Sequence, residues 1–333
     1  MKVIDGNNDL RRLRIKIIKL FVIYAIGISI VSFWVPLVAT NEFWPYFISI
    51  AATYQCISML FELWILSNHK YVFGLLGKRA RAKYSSISDF AMITNTQFIC
   101  LIHSIIAGIC AIVMLLSPTS PIHQDHLFGS SFPTILHSVH SSAFFLAELL
   151  ELLLGGCEMR GAPYVVEVVH HILACLGFFT GAFGIGLYYS VCILLSEFST
   201  IFVDLKWLAG QSGQHFVYRW AKRLYVVSFL VVRVGFIGFY FTPIAFHDLG
   251  SVALNRSIDP TRFPIYNPSI HDGLLDFIQA ISLMVCILLI FFHLLNLFFL
   301  SQIYGMVTRK RIMTADTNQK GEEEPLLSLS TTK

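Results

Sequence analysis

An uncharged apolar run of about 18 residues or more is long enough to cross the hydrocarbon core of a bilayer as a helix. Such runs recur along this sequence, and few of them alternate apolar with polar residues as strands would. Inside hydrocarbon no water serves the backbone, so a chain without strand alternation must satisfy its own N–H and C=O groups in helices. Composition agrees: of 333 residues 56% are hydrophobic and 13% charged, against roughly 25% charged in soluble domains. The fold class that follows is an all-α polytopic membrane protein.

The runs are expected as about eight spans: Leu20 to Leu37, Phe43 to Leu66, Ala91 to Leu116, Pro133 to Leu154, Tyr164 to Leu187, Tyr189 to Leu208, Leu224 to Phe246 and Leu274 to Tyr304. The first follows Arg11, Arg12, Arg14, Lys16 and Lys19 and reads as a signal anchor, since neither the short apolar region nor the small-residue cleavage site of a removable leader is evident. Cytosolic loops of membrane proteins are enriched in Lys and Arg. With both termini in the cytosol, 21 of the 24 Lys and Arg residues fall on the cytosolic side, only Arg256 and Arg262 on the lumenal side, and Arg233 inside a span. An odd number of helices would destroy that asymmetry. All five tryptophans, Trp34, Trp44, Trp64, Trp207 and Trp220, fall near expected span ends, where an amphipathic ring sits at headgroup level. The net charge of +4 therefore belongs to topology signals beside anionic lipid and excludes a nucleic-acid patch. Seven cysteines lie in spans or, for Cys157, in a cytosolic turn, with no CxxC or CxxH spacing, so neither a lumenal disulfide framework nor a structural zinc site is expected. Cys157, beside Gly155 and Gly156, reads either as a small turn residue or as a palmitoylation site.

Ionisable groups inside spans are costly and mark functional sites by default. The fifth expected span opens on Glu167, His170 and His171, which share a helical face. In the fourth span His137, His140, Ser141, Phe144, Glu148 and Glu151 fall in a narrow arc, and in the sixth Glu197, Thr200 and Asp204 share a face. His103 lies in the third span, Arg233 in the seventh, His293 and Asn296 in the eighth. Any one of these groups is explained by interhelical pairing, Arg233 with Glu197 for instance, since such bonds stabilise membrane bundles by roughly 0.6 to 2 kcal/mol. About ten ionisable groups converging from six helices exceed that need, so a shared polar interior is expected. Small residues after the His pair, Gly177, Thr180, Gly181, Gly184 and Gly186, either tighten helix contact or leave room for a ligand.

Adjacent histidines fit two chemistries. A neutral imidazole acts as general base or acyl acceptor when a carboxylate such as Glu167, Glu197 or Glu148 orients it. Histidines and carboxylates also bind metals. The sequence has one HH pair and one HxxH, His137 to His140, where membrane di-iron oxidases need several such clusters, so no metal is expected.

From Asn95 to Gly305 the chain resembles the TLC domain, shared by ceramide synthases, translocon-associated membrane proteins and a set of TLC-domain-containing proteins. The resemblance rests on Ile102-His103-Ser104, the Glu148 region, Val169-His170-His171, Leu195-Ser196-Glu197-Phe198-Ser199-Thr200 with Lys206-Trp207, Val232-Arg233-Val234 and Leu295-Asn296-Leu297. It implies six membrane helices around a lipid-accessible chamber, with residues 1–90 an N-terminal addition of two spans, 91–308 the TLC domain and 309–333 a disordered cytosolic tail. In ceramide synthases the His pair and a later His-Asp with a second Asp serve acyl transfer from acyl-CoA to a long-chain base. This sequence keeps His170 and His171 but has Ser196-Glu197 and Thr200 at the later positions, which looks more like the TLC-domain-containing branch. Two functions follow as expectations. One is binding, sensing or trafficking of a membrane lipid, a sphingolipid or acyl chain, with no cofactor; the other is an acyltransferase using acyl-CoA, with His170, His171 and Glu197 catalytic. A proton-coupled transporter using the His and Glu chain is a third class, which no inverted repeat supports.

The loop after the seventh span carries the sequon Asn255-Arg256-Ser257, an expected glycosylation site on the lumenal side. The tail ends in Glu322-Glu-Glu-Pro-Leu326-Leu327, which resembles the acidic dileucine signals read by clathrin adaptors, so the compartment is expected to be endoplasmic reticulum or endosome and lysosome. Replacing Leu326 and Leu327 with Ala should move the protein away from acidic compartments. An unchanged distribution by fluorescence microscopy would discard the sorting reading.

Overall fold

The computed structural model describes residues 18–19, 43–77, 87–154, 162–254 and 271–323. The first expected span, the basic residues of 78–86, Cys157, Arg160, Asn255, Arg256, Arg262, Leu326 and Leu327 lie outside them. The chain divides into two compact units, Met1–Leu288 and Leu289–Lys333, described separately here.

Among the described residues every regular element is helical: α1 (Trp44–Ser67), α2 (His69–Leu75), α3 (Ile87–Leu116), α4 (Pro121–Gln124), α5 (Phe132–Leu154), α6 (Ala162–Phe179), α7 (Leu187–Leu194), α8 (Glu197–Gln211), α9 (His215–Ser228), α10 (Thr242–Leu254) and α11 (His271–Glu323). Pro45, Pro121, Pro133 and Pro163 all stand within the first two residues of their helices, where a missing N–H costs no hydrogen bond. A 3-10 turn, Thr180–Phe183, extends α6, and the chain then reverses at Gly184 and Gly186, whose φ of 73° and 64° lie in the left-handed region open to glycine.

Five helical stretches are long and apolar enough to cross a membrane: Trp44–Ser67, Ile93–Leu116, Tyr164–Phe183, His215–Leu254 and Ile278–Gly305. Two expected spans depart from that pattern for physical reasons. Residues 133–154 do form a helix, α5, but its histidines, serines and two glutamates lower its hydropathy below that of the five. The sixth expected span is broken. The chain tightens at Leu195 and Ser196, where Ser196 N–H reaches back to Ile193 O (2.9 Å) and Ser199 N–H to Ser196 O (3.0 Å), so that two short helices, α7 and α8, replace one. The seventh is longer than expected, because α9 and α10 are joined without interruption by a π-helix, Phe229–Phe241. The π-helix ends two residues before Pro243. In an α-helix the proline ring would meet the carbonyl four residues back; here the preceding turn is wider, and Thr242 N–H donates to Ile237 O, five residues back.

In the first unit α1 packs on α5 and α3, α5 on α6, α3 on α8, and α8 on α9. Gly77 N–H donates to Gln211 O (2.8 Å), which brings the end of α2 to the α8–α9 turn; Gly186 N–H donates to Leu127 O (2.8 Å), which joins the α3–α5 and α6–α7 connections at the opposite end. Each end is closed by an apolar cluster. Ile65, Val72, Leu76, Phe90 and Ala91 fill the first, and Phe128, Phe183, Ile185, Val252, Ile278 and Ile281 the second.

Small residues set the closest approaches. A Cβ on Gly181 would collide with the Ser138 side chain, and one on Gly108 would stand 3.0 Å from the backbone N and Cα of Phe198, at the start of α8. These glycines tighten the packing. Gly108→Ala should therefore lower the melting temperature in detergent, by the roughly 1 to 3 kcal/mol typical of overpacking. Gly250→Ala, on α10 with nothing within 4 Å of the added carbon, should be neutral or stabilising by up to about 1 kcal/mol. Equal behaviour of the two variants would refute close α3–α8 contact.

Candidate functional site

The polar groups of the first unit sort into three neighbouring sets. The first is built of imidazoles and aromatic rings. His103 projects from the middle of α3 and is fully buried. Its ring lies flat on Phe144 of α5, with centroids 3.8 Å apart and planes at 4°, and His140 stands on the same side of α5 at 5.4 Å. Tyr54 of α1 hydrogen-bonds His140 Nε2 (2.8 Å). Phe145 carries the cluster across to α6, meeting His103 at 5.5 Å, His170 at 5.6 Å and His171 at 5.7 Å. His171 Nδ1 is 2.7 Å from the carbonyl oxygen of Glu167. A carbonyl only accepts, so Nδ1 carries the proton and Nε2 of the neutral ring keeps its lone pair. The half-exposed Glu167 carboxylate is 3.9 Å from the same nitrogen.

The second set surrounds Arg233, in the π-helix. Its Nε donates to Ser199 Oγ (2.9 Å) and its Nη2 to Thr200 Oγ1 (3.0 Å) and the Ser196 carbonyl (3.4 Å). The guanidinium thus binds the place where α7 gives way to α8, supplying a donor to a carbonyl at a helix interruption. Glu197 lies within electrostatic range of Arg233 and accepts from Ser104 of α3 (3.2 Å). His170 is also within electrostatic range of Arg233, which ties this set to the first. Asp204, two turns further along α8, is buried near Glu197 and Lys206.

The third set is a seam between α1, α3 and α5. Asn95 donates to Ser58 (2.6 Å), Ser58 to Glu151 (3.0 Å), Gln55 to the Ala147 carbonyl (2.6 Å) and Cys100 to Glu148 (3.8 Å). Glu151 is three turns from His140, about 16 Å along the axis. It therefore belongs to helix pairing and stands apart from the imidazoles. His293 and Asn296 stand on α11 in the second unit, where His293 lies edge-on to Phe292 at 6.2 Å.

The division follows charge. The carboxylates of Glu148, Glu151 and Glu197 and the guanidinium of Arg233 all have hydrogen-bonding neighbours. Among the described buried atoms with no protein partner are both ring nitrogens of His103, His137 Nε2, His140 Nδ1 and Ser141 Oγ, together with Asp204 Oδ2 and, in the seam, Gln55 Oε1 and Asn95 Oδ1. A buried polar atom left without a partner costs about 1 to 3 kcal/mol, whereas an interhelical hydrogen bond contributes about 0.6 on average. His103, with neither ring nitrogen engaged, therefore costs stability where the bonds of Arg233 and the three glutamates supply it.

Tyr54, Gln55 and Ser58 were not among the sequence candidates. Their signal was available as polar positions 55, 58 and 62 on one face of α1. A fourth cluster had no such signal. At the opposite end Tyr189 donates to Asp248 (2.8 Å), His126 Nδ1 is 3.5 Å from the same oxygen, and the His126 ring stacks on Tyr188 at 4.0 Å. These residues are scattered over more than a hundred positions, and only folding unites them.

Against known proteins the chain matches the family model of the TLC domain over residues 94–304. No curated protein and no solved structure matches it significantly. The matched stretch covers well over half of the 333 residues and includes every residue of the imidazole and arginine sets except Tyr54. By that match the chain belongs to the TLC-domain family.

Proposed function

We propose that the protein acts in membrane lipid homeostasis by holding the polar end of an amphiphilic lipid among the imidazoles, with the acyl part in the surrounding apolar helices. The observation that carries this reading is the set of partnerless polar atoms on His103, His137, His140 and Ser141, all drawn from α3 and α5 at the middle of the bundle. Neutral donors and acceptors suit hydroxyl, amide or amine groups of a headgroup, a sphingoid base or related lipid. The compartment that fits is an endomembrane, with both termini cytosolic.

Replacing a buried unsatisfied polar side chain with an apolar one of similar shape is neutral or stabilising. His103→Leu and His137→Leu should therefore melt at the same or a higher temperature than the native protein and retain less copurifying lipid, measured by mass spectrometry of the purified sample. Loss of stability with unchanged lipid content would make the imidazoles structural and end the proposal.

A second reading is favoured by one hydrogen bond. With its Nδ1 proton committed to the Glu167 carbonyl, His171 presents Nε2 as a base. It would take the proton from an acceptor amine or hydroxyl as that group attacks an acyl-CoA thioester, the CoA thiol leaving. Purified protein given labelled acyl-CoA and sphingoid or lysolipid acceptors should then form product, lost in His171→Ala. Tight lipid retention without turnover favours binding alone.

A further inference from the structure

The stretch His215–Leu254 runs as 40 continuous helical residues, about 60 Å at an α-helical rise, while the hydrocarbon core is about 30 Å thick. One end must therefore extend beyond the core. The apolar length lies toward the π-helix, and the first three turns of α9 carry Arg219, Lys222 and Arg223. These three positions fall on one side of the helix, since residues three and four apart are neighbours. Phe216, Trp220, Leu224 and Val227, at intervals of three and four, are exposed by 67%, 48%, 43% and 59%. The result is an amphipathic turn that places an apolar stripe beside a basic one, the arrangement that sits at a headgroup boundary.

Two of the cations lie on aromatic rings. Arg223 lies over the Trp220 ring at 5.7 Å and Lys206 of α8 over Tyr225 at 5.0 Å. Lys206 and Lys222 interact electrostatically, with buried Asp204 the carboxylate in range of Lys206. Among the described residues no Asp or Glu stands within ion-pair distance of Arg219, Lys222 or Arg223. Arg219, Lys222 and Arg223 gather like charge on one side of α9, and an anion placed among them removes the cost of their repulsion. At this depth the anion available is a lipid phosphate.

We propose that the α8–α9 hairpin, through Lys206, Arg219, Lys222 and Arg223, binds the headgroup of an anionic phospholipid at the membrane surface. The site is separate from the imidazole cluster and stands or falls independently of the lipid proposed there. The apolar stripe seats the glycerol and upper acyl region while the basic stripe takes the phosphate. Each Lys or Arg near an anionic surface contributes about fivefold in affinity.

The full-length protein is reconstituted in nanodiscs of phosphatidylcholine containing a minor fraction of phosphatidylserine or a phosphoinositide. The lipid retained on extraction into mild detergent is then quantified per protein. The native chain should enrich the anionic lipid over phosphatidylcholine, and Arg219→Gln, Lys222→Gln and Arg223→Gln should each lower the enrichment by about fivefold. The charge-conserving set Arg219→Lys, Lys222→Arg and Arg223→Lys should retain it, which separates loss of binding from loss of fold. High salt should weaken the enrichment, because exposed charges are screened. Inorganic phosphate at matched ionic strength should not compete; competition would mean a free-phosphate site and overturn the lipid assignment. Enrichment that is absent in the native chain, or unchanged in all three Gln variants, overturns the proposal.

Discussion

Hydrocarbon leaves a polar group no partner except other protein groups, and this requirement governs most of what the first unit does. It explains why the interruption between α7 and α8 coincides with an arginine. At the break the Ser196 carbonyl already accepts from the N–H and hydroxyl of Ser199, and Arg233 adds a longer bond to it while holding the hydroxyls of Ser199 and Thr200 at the start of α8. The arginine is in turn displayed from a π-helix that ends at Phe241, two residues before Pro243. Two irregular segments, each costly alone in a membrane, are accommodated by facing each other inside the protein.

The same requirement separates structure from candidate function among the polar residues. Glu148, Glu151 and Glu197 each meet a donor on α1 or α3, and these bonds fasten helices that otherwise touch through small residues such as Gly108. The imidazoles do not follow that rule. His103 is sealed between Phe144 and Phe145 with neither nitrogen engaged. Packing gains nothing from such a residue that phenylalanine would not supply.

Helix α1 is part of this arrangement although it precedes the matched domain. Tyr54 reaches His140, and Gln55 and Ser58 reach the backbone and the carboxylate of α5. By resemblance α1 is an N-terminal addition, because the matching motifs begin only at Asn95. The meaning of Tyr54, Gln55 and Ser58 depends on which helix they face, and periodicity does not state that.

From residues alone came the helical membrane class, the basic loops beside the spans, the family resemblance and the presence of polar groups at membrane depth, because hydrophobic length and loop charge are local properties that follow directly from transfer from water to lipid. Tertiary structure alone decided which polar groups pair and which are left over, that Glu151 belongs to a seam some turns from His140, and that Tyr189, His126 and Asp248 meet at all. It also decided the break at Ser196 and the π-helix at Arg233, since neither is encoded by periodicity. Each of those outcomes depends on the partner across a helix interface, and a partner is specified by the approach of two helices and not by the neighbours of either residue along the chain.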